Sequence, residues 1–557
     1  MINCMNIRRL SENTRRLSEY GSWFLLTSAA VFLAACQTEE PNHAEQVLRN
    51  GRVLTVDNDF SIAEALAIQG ERIVAVGGNV DIEAQIGPDT RVIDLAGRTV
   101  IPGLIDNHMH FIRAVQRWNL QARIDGVNSK QRALDIMAAK AASMEPGEWL
   151  MVQGGWRENQ FVDGPSGFTL EELDAAAPEN PLFLQITYQS VYANSLALEA
   201  VGVFPDEGAY HRGPPLISGQ PPYGLLNEQM PSVSQEQLER NLFDFIHELN
   251  RAGLTSVYDV GRPPEGDISL LERMSTADEP LPLRVWHTLK YEAYDPQGAD
   301  AAVTLVQNSA PDNGDYLGLL GLGEHIYLPM FDNPGTTERY SDEIIDEFMK
   351  IATAAAEGGF QVHEHTMQDV TVRSLLDRYE ALNETIPLAP LRWTFIHVFS
   401  LSPESIERIR ALDMMIAVHS VASLAEARVP LRDIQDGGVV WGLGTDATIV
   451  AHYQPFITLG WAVTGKNVSG NTVLDQTVSR EEALIAHTRA NAWLLFKEDD
   501  LGTLEAGKFA DLVVLDRDYL SVPEDEIFDI EPVLTMVGGR IAYDAMGAMG
   551  ALGAAED

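Results

Sequence analysis

Between residues 99 and 499, short apolar runs alternate with longer amphipathic stretches, and few folds accept that order. Gly253–Asp259, Phe360–His363 and Trp393–His397 are short, apolar and rich in β-branched or aromatic residues, as strands are. Asp342–Glu357 and Pro403–Leu412 carry the apolar spacing of helices. Alternating β and α implies a parallel sheet whose strands are joined by crossover helices. The length of this region suits an α/β fold of the (β/α)8 TIM barrel type, with insertions expected between strands 1 and 4.

The two chain ends have a different texture. Residues 46–98 read as strands, with an Asn50-Gly51 turn and a hairpin formed by Ala65–Ile68 and Ile73–Val76. Residues 500–545 repeat the pattern in Ala510–Asp516, Val533–Val537 and Ile541–Tyr543. Neither piece alone can bury a stable core. Together they are expected to form one small β-sandwich, leaving 99–499 to the barrel and 546–557, rich in Ala and Gly, as a flexible tail.

The chain has 557 residues, enough for two to four domains, with 45% hydrophobic and 22% charged residues, as in ordinary globular proteins. It carries 39 Lys and Arg against 81 Asp and Glu, a formal charge of −42. So acidic a surface repels phosphate backbones, which excludes nucleic acid as a partner. The two cysteines, Cys4 and Cys36, make no disulfide framework and no persuasive nucleophile.

The N-terminus reads as an address. Arg8, Arg9, Arg15 and Arg16 precede an apolar run from Trp23 to Ala35, too short to span a bilayer comfortably but suited to a signal peptide. The run ends in Leu33-Ala34-Ala35-Cys36, which resembles a bacterial lipobox. That resemblance implies removal of residues 1–35, lipidation of Cys36 and a polar tether over 36–45. It implies a bacterial cell-envelope protein facing the periplasm or the exterior, touching the membrane only through its lipid.

The chemistry concentrates in Ile101-Pro102-Gly103-Leu104-Ile105-Asp106-Asn107-His108-Met109-His110. Period-2 alternation puts Asp106, His108 and His110 on one strand face, where two imidazoles can hold one metal. The segment resembles the first-strand signature of the amidohydrolase superfamily. Leu173–Pro181, Asn194–Leu198, Gly253–Val257 and Gly502–Leu512 are similar to its amidohydrolase-3, YtcJ-like branch. By that resemblance His365 matches the strand-5 ligand, His397 the strand-6 ligand and Asp446 the strand-8 carboxylate. The intervals His365–His397 and His397–Asp446 fit one and two βα units, at about 30 residues or a little less each. Imidazole and carboxylate donors suit one or two divalent ions, Zn2+ first among them.

Two features depart from the family. Where many relatives have a bridging carbamylated lysine, this chain has Glu324 in Gly321-Leu322-Gly323-Glu324-His325. A glutamate can bridge two ions only if its strand comes closer, which the flanking glycines permit. Gln189 stands where relatives often have histidine, and His419 where many have glutamine. His363 shares the strand parity of His365, and Trp156, Tyr223 and Glu228 are further candidates for substrate contact.

The resemblance implies a metal-dependent hydrolase that cleaves an amide or cyclic amide C–N bond of a small molecule, other than a peptide bond. Metal would activate water and polarise the carbonyl, and Asp446 would shuttle the proton. A deaminase or isomerase on the same site, and a non-catalytic binding lipoprotein, are the alternatives. The oligomeric state is open, with a homodimer among the choices.

Overall fold

The computed structural model describes residues 43–163, 167–186, 190–202, 216–218, 226, 228–261, 265–275, 280–289, 291 and 293–547. The signal peptide, Cys36, most of the tether, Gln189, Tyr223 and the end of the tail lie outside the described residues.

Eight parallel strands follow one another around a barrel in sequence order. They are β1 (Leu104–Met109), β2 (Leu254–Asp259), β3 (Arg284–Leu289), β4 (Leu317–Glu324), β5 (Gln361–Thr366), β6 (Thr394–His397), β7 (Met415–His419) and β8 (Val440–Gly444). Helices on the outside supply the crossovers. The helix Asp342–Glu357 shows why: Ser341 caps its first turn by accepting from the Ile344 amide. Ile345, Phe348, Ile351, Ala352 and Ala355 then repeat at three- and four-residue steps and bury one face.

Seven of the eight strand junctions are parallel ladders, with register shifts where β1 meets β2 and where β3 meets β4. The eighth, between β1 and β8, is made differently. It has one bridge, Met109 to Ala447, with the Asp446 amide donating to the His108 carbonyl (2.8 Å) and the His110 amide to that of Ala447 (2.9 Å). Side chains complete it. The Asp106 carboxylate accepts from the Thr445 amide (3.1 Å) and hydroxyl (2.6 Å). Asn491 donates to the carbonyls of Ile105 and Leu443, both at 2.7 Å, and accepts from Asn107 (2.9 Å). Gly442 and Gly444 are obligatory here, because a Cβ on either would collide with Asn491 or Asn107.

The segment Ile101–His110, expected as one strand, is divided by Gly103. Thr99–Pro102 pairs with Leu512–Leu515 and Arg52–Leu54, while Leu104–Met109 enters the barrel. A Cβ at Gly103 would collide with the Thr255 side chain, so the chain crosses from sheet to barrel where no side chain fits. The sheet it leaves has six strands and joins both ends of the chain: Ile62–Ala63, Arg52–Leu54, Thr99–Pro102, Leu512–Leu515, Pro532–Val537 and Arg540–Asp544. A second sheet holds Arg91–Asp94, Gln46–Arg49, Ala65–Gln69 and Arg72–Gly77. One apolar cluster takes Leu48, Leu66 and Ile93 from the second sheet and Val53, Val100, Leu512 and Met536 from the first.

The insertion falls wholly between β1 and β2. It contains a four-stranded sheet (Leu150–Gln153, Leu182–Gln185, Ser190–Ala193 and Leu216–Ser218) and the helices Lys130–Ala141 and Leu170–Ala176. Among the described residues, no helix is long and apolar enough to cross a membrane.

A buried ion pair fastens the six-stranded sheet to the start of β3. Arg284 and Asp511 have side chains 0% and 3% exposed, and the guanidinium engages both carboxylate oxygens, at 2.8 and 3.0 Å. Arg284 also lies over the Phe509 and Tyr316 rings. Removing one partner leaves a charge buried alone. Arg284→Met should therefore lower stability in urea denaturation by about 3–5 kcal/mol, and adding Asp511→Leu should recover most of it. A single-variant loss below about 1 kcal/mol would mean the pair behaves as a screened surface bridge.

Candidate metal centre

Six side chains expected from sequence meet at the C-terminal ends of the barrel strands. His108 lies near the end of β1, and His110 one residue beyond it opens the helix Phe111–Val115. Glu324 ends β4, His365 lies near the end of β5, His397 ends β6, and Asp446 follows β8 by two residues. All six are buried. His397 and Asp446 have φ of 70° and 68°, a region that side-chain-bearing residues seldom adopt. Such backbone strain clusters at working sites.

Glu324 sits at the middle. Its Oε2 lies 3.4 Å from His108 Nε2 and 3.2 Å from His110 Nε2. Its Oε1 lies 3.3 Å from His365 Nδ1 and 3.8 Å from His397 Nε2. The carboxylate thus faces one histidine pair with each oxygen. Asp446 Oδ1 faces the first pair again, 3.4 Å from His108 Nε2 and 3.2 Å from His110 Nε2, while its Oδ2 is 3.9 Å from His397. The strand carrying Glu324 approaches β5 closely, since a Cβ at Gly321 or Gly323 would meet the Gln361 or His363 carbonyl oxygen.

The far nitrogens of three imidazoles are engaged from behind. His108 Nδ1 is 3.3 Å from His363 Nε2, His397 Nδ1 is 2.8 Å from His419 Nδ1, and His365 Nε2 is 3.0 Å from the Asp332 carbonyl. Such support fixes ring orientation and turns the other nitrogen toward the centre. Burial, reinforced by neighbouring imidazoles, pushes His363 and His419 well below the ordinary histidine range, so both stay neutral. Burial acts the opposite way on the carboxylates, but it is outweighed. The charge of His325 and the facing imidazoles of His108, His110 and His365 hold Glu324 well below its usual value, and those of His108 and His110 hold Asp446 low.

These residues fit a divalent cation. His108 Nε2 is buried with no hydrogen-bond partner, which in a satisfied core costs about 1–3 kcal/mol. The donor atoms of His108, His110, Glu324 and Asp446 lie within 4.8 Å of one another. Neutral imidazoles with ionised carboxylates are the donor set of zinc and its neighbours. A cavity of about 710 Å3 opens on the cluster, lined on one side by His110, Glu324, His365, His397 and Asp446.

The remaining expectations divide. His363 and His419 stand directly behind His108 and His397. Trp156, a candidate for substrate contact, is a packing residue. It is 1% exposed among Phe161, Phe168 and Tyr192 in the insertion core, donates to the Gln185 carbonyl, and does not line the cavity. Glu228 is exposed and does not line it either. Sequence reasoning missed His325, whose Nε2 lies 3.2 Å from Glu324 Oε1, although it adjoins that residue. It also missed Asp332, which accepts from the Met367 and Gln368 amides beside His365 and has no motif around it. Arg157 lines the cavity and stands next to the tryptophan that was chosen instead.

A model of the amidohydrolase family matches residues 91–543. The chain is 25% identical to the N-substituted formamide deformylase of Arthrobacter pascens, over 90% of this chain and 98% of that one. It is 24% identical to a putative amidohydrolase, YtcJ, of Bacillus subtilis, over 89% and 99%. The structure of an uncharacterized metal-dependent hydrolase from Pyrococcus furiosus superposes with a TM-score of 0.56 at 21% identity, covering 86% of this chain and all of that one.

Proposed function

The chain belongs to the amidohydrolase family, a hydrolase that uses divalent metal and acts on small molecules, and on that premise we propose that it cleaves C–N bonds of non-peptide amides. The observation that carries this reading is the convergence of the His108, His110, Glu324 and Asp446 donor atoms, with His110, Glu324 and Asp446 lining the cavity. The deformylase relative, named for C–N hydrolysis, supports the bond type. The stretches similar to YtcJ support that branch of the family.

In this reading His108 and His110 would hold one ion and His365 and His397 a second, and Glu324, which stands between the two pairs, would serve both. Zn2+ is the ion the donors favour. When bound, such an ion supplies Lewis acidity and lowers the pKa of water. The chain supplies the rest. Water adds to the carbonyl carbon, and one of its protons passes to Asp446. That proton leaves with the nitrogen as the C–N bond breaks, giving an acid and an amine. The nitrogens of His108 and His110 that hold Asp446 low are the same atoms that face a cation. With a cation held there, those nitrogens would face it rather than Asp446, whose carboxylate would be free to act as the base. His363 and His419, held neutral by burial, add no charge against the ion.

The same reading extends to the chain ends. The two sheets that share one apolar cluster are read as the composite β-sandwich. Export with a lipid on Cys36 is proposed from the Leu33–Cys36 run, which would anchor the enzyme in a bacterial envelope, facing the periplasm or the exterior.

Asp446→Asn should retain bound metal by elemental analysis while kcat falls by about 10²–10⁴-fold. Undiminished turnover would remove the proton-transfer role. In cells fed labelled palmitate, the native chain should incorporate label and Cys36→Ser should not; label on Cys36→Ser would end the anchor proposal.

A further inference from the structure

The cavity has a second polar wall. Arg157 and Arg113 both line it, Arg157 from the insertion and Arg113 from the short helix that His110 opens. Arg157 Nε is buried without a hydrogen-bond partner, and among the described residues none forms an ion pair with its guanidinium. Its neighbour Glu158 attracts it only at a distance, because the Glu158 carboxylate accepts the Tyr192 hydroxyl at 2.9 Å. Burial accordingly pushes Arg157 below the ordinary arginine range, and Glu158 offsets only part of that. Arg157 is half-buried at the cavity with no carboxylate paired to it among the described residues. Buried charge without a partner is costly and is retained where a ligand completes it.

The loop carrying Arg157 is pinned on both sides. The Gly154 amide donates to the Gln185 carbonyl (2.9 Å), and the Gly155 amide to the Ile449 carbonyl beyond β8 (3.0 Å). Gly154 has φ of 68°, and a Cβ there would collide with Ile449, so the approach needs glycine. Trp156 donates to Gln185, Gln160 to the Ile124 and Val127 carbonyls, and Asn159 to Glu426 (2.8 Å). The backbone at Arg157 is thus fixed before any ligand arrives, which reduces the entropy lost on binding.

The space between is apolar. Phe331, 45% exposed, stacks on His365 at 4.8 Å, and Phe399, Met367 and Val450 line the same cavity. Its volume, about 710 Å3, suits a small organic ligand. A ligand fitting all three walls has a scissile amide at the donor cluster, an apolar body and an anionic group.

We propose that Arg157 receives the carboxylate of an N-acyl amino acid with a bulky apolar side chain, and sets a preference for anionic over neutral amides. This rests on the hydrolase reading above. A guanidinium meets a carboxylate with two parallel hydrogen bonds, a geometry that lysine cannot copy.

The test compares N-acetylphenylalanine with its neutral analogue N-acetylphenylalaninamide. Binding is measured by calorimetry on zinc-loaded full-length Asp446→Asn protein, and kcat/KM on the zinc-loaded native chain. The acid should bind at least about tenfold more tightly than the amide. Adding Arg157→Gln should abolish that ratio, and Arg157→Lys should restore part of it. Removing an unpartnered cation should leave the melting temperature of Arg157→Gln level or raised. Equal affinity for acid and amide, a ratio that survives Arg157→Gln, or a melting temperature several degrees lower would overturn the proposal. Arg157-dependent binding of the acid without hydrolysis by the native chain would sink the hydrolase reading and leave Arg157 standing. Hydrolysis of both compounds without preference would do the reverse.

Discussion

The structure depends on the junction between β1 and β8. Every other pair of neighbouring barrel strands is held by a parallel ladder, whereas this one is held by a few backbone bonds and a buried polar set. Asp106 grips Thr445, and Asn491 ties Ile105 to Leu443. Gly442 and Gly444 keep the space those side chains need. Asp106 is fully buried and is pushed up to about 6 by that burial, with the Thr445 hydroxyl and two amides pulling the other way. Polar groups buried this deeply stabilise only when fully bonded, so this seam admits few alternatives. Its product is chemical. It sets Asp446 beside His108 and His110, residues more than 330 positions earlier in the chain.

From that junction the remaining donors follow. A histidine pair on β5 and β6 faces the pair from β1 across Glu324, and only a close approach of β4 lets so short a side chain reach both. The arrangement concentrates two carboxylates and several imidazoles in a water-poor interior. It is tolerable because His363 and His419 remain neutral and because His108 Nε2 and its neighbours point at a common centre. The cost of such a site is what a bound cation relieves, and the strained backbone at His397 and Asp446 has the same origin.

Much of this was readable in the sequence because strand parity and βα spacing are local rules. Parity places His108 and His110 on one strand face, βα spacing agrees with the family resemblance that picks out His365 and His397, and the glycines around Glu324 permit a close approach. Contacts across long separations leave no such trace. Asn491 joins β1 to β8 from a helix beyond both, and Asp332 reaches His365 from an irregular loop. Composition also misleads where core and cavity use the same residues. Trp156 and Arg157 are adjacent, yet the aromatic one packs inside the insertion and the charged one faces the cavity. Likewise Ile101–His110 reads as one strand, because only the Thr255 side chain opposite Gly103 reveals the crossing between two sheets.

The account stands on a metal centre assembled by barrel closure, and anomalous diffraction from crystals of the zinc-loaded protein tests it most directly. It predicts one zinc peak about 2.0–2.2 Å from His108 Nε2 and His110 Nε2 and a second beside His365 and His397, with a Glu324 oxygen on each. Zinc bound elsewhere, or a cluster that stays empty in zinc-saturated crystals, would contradict it.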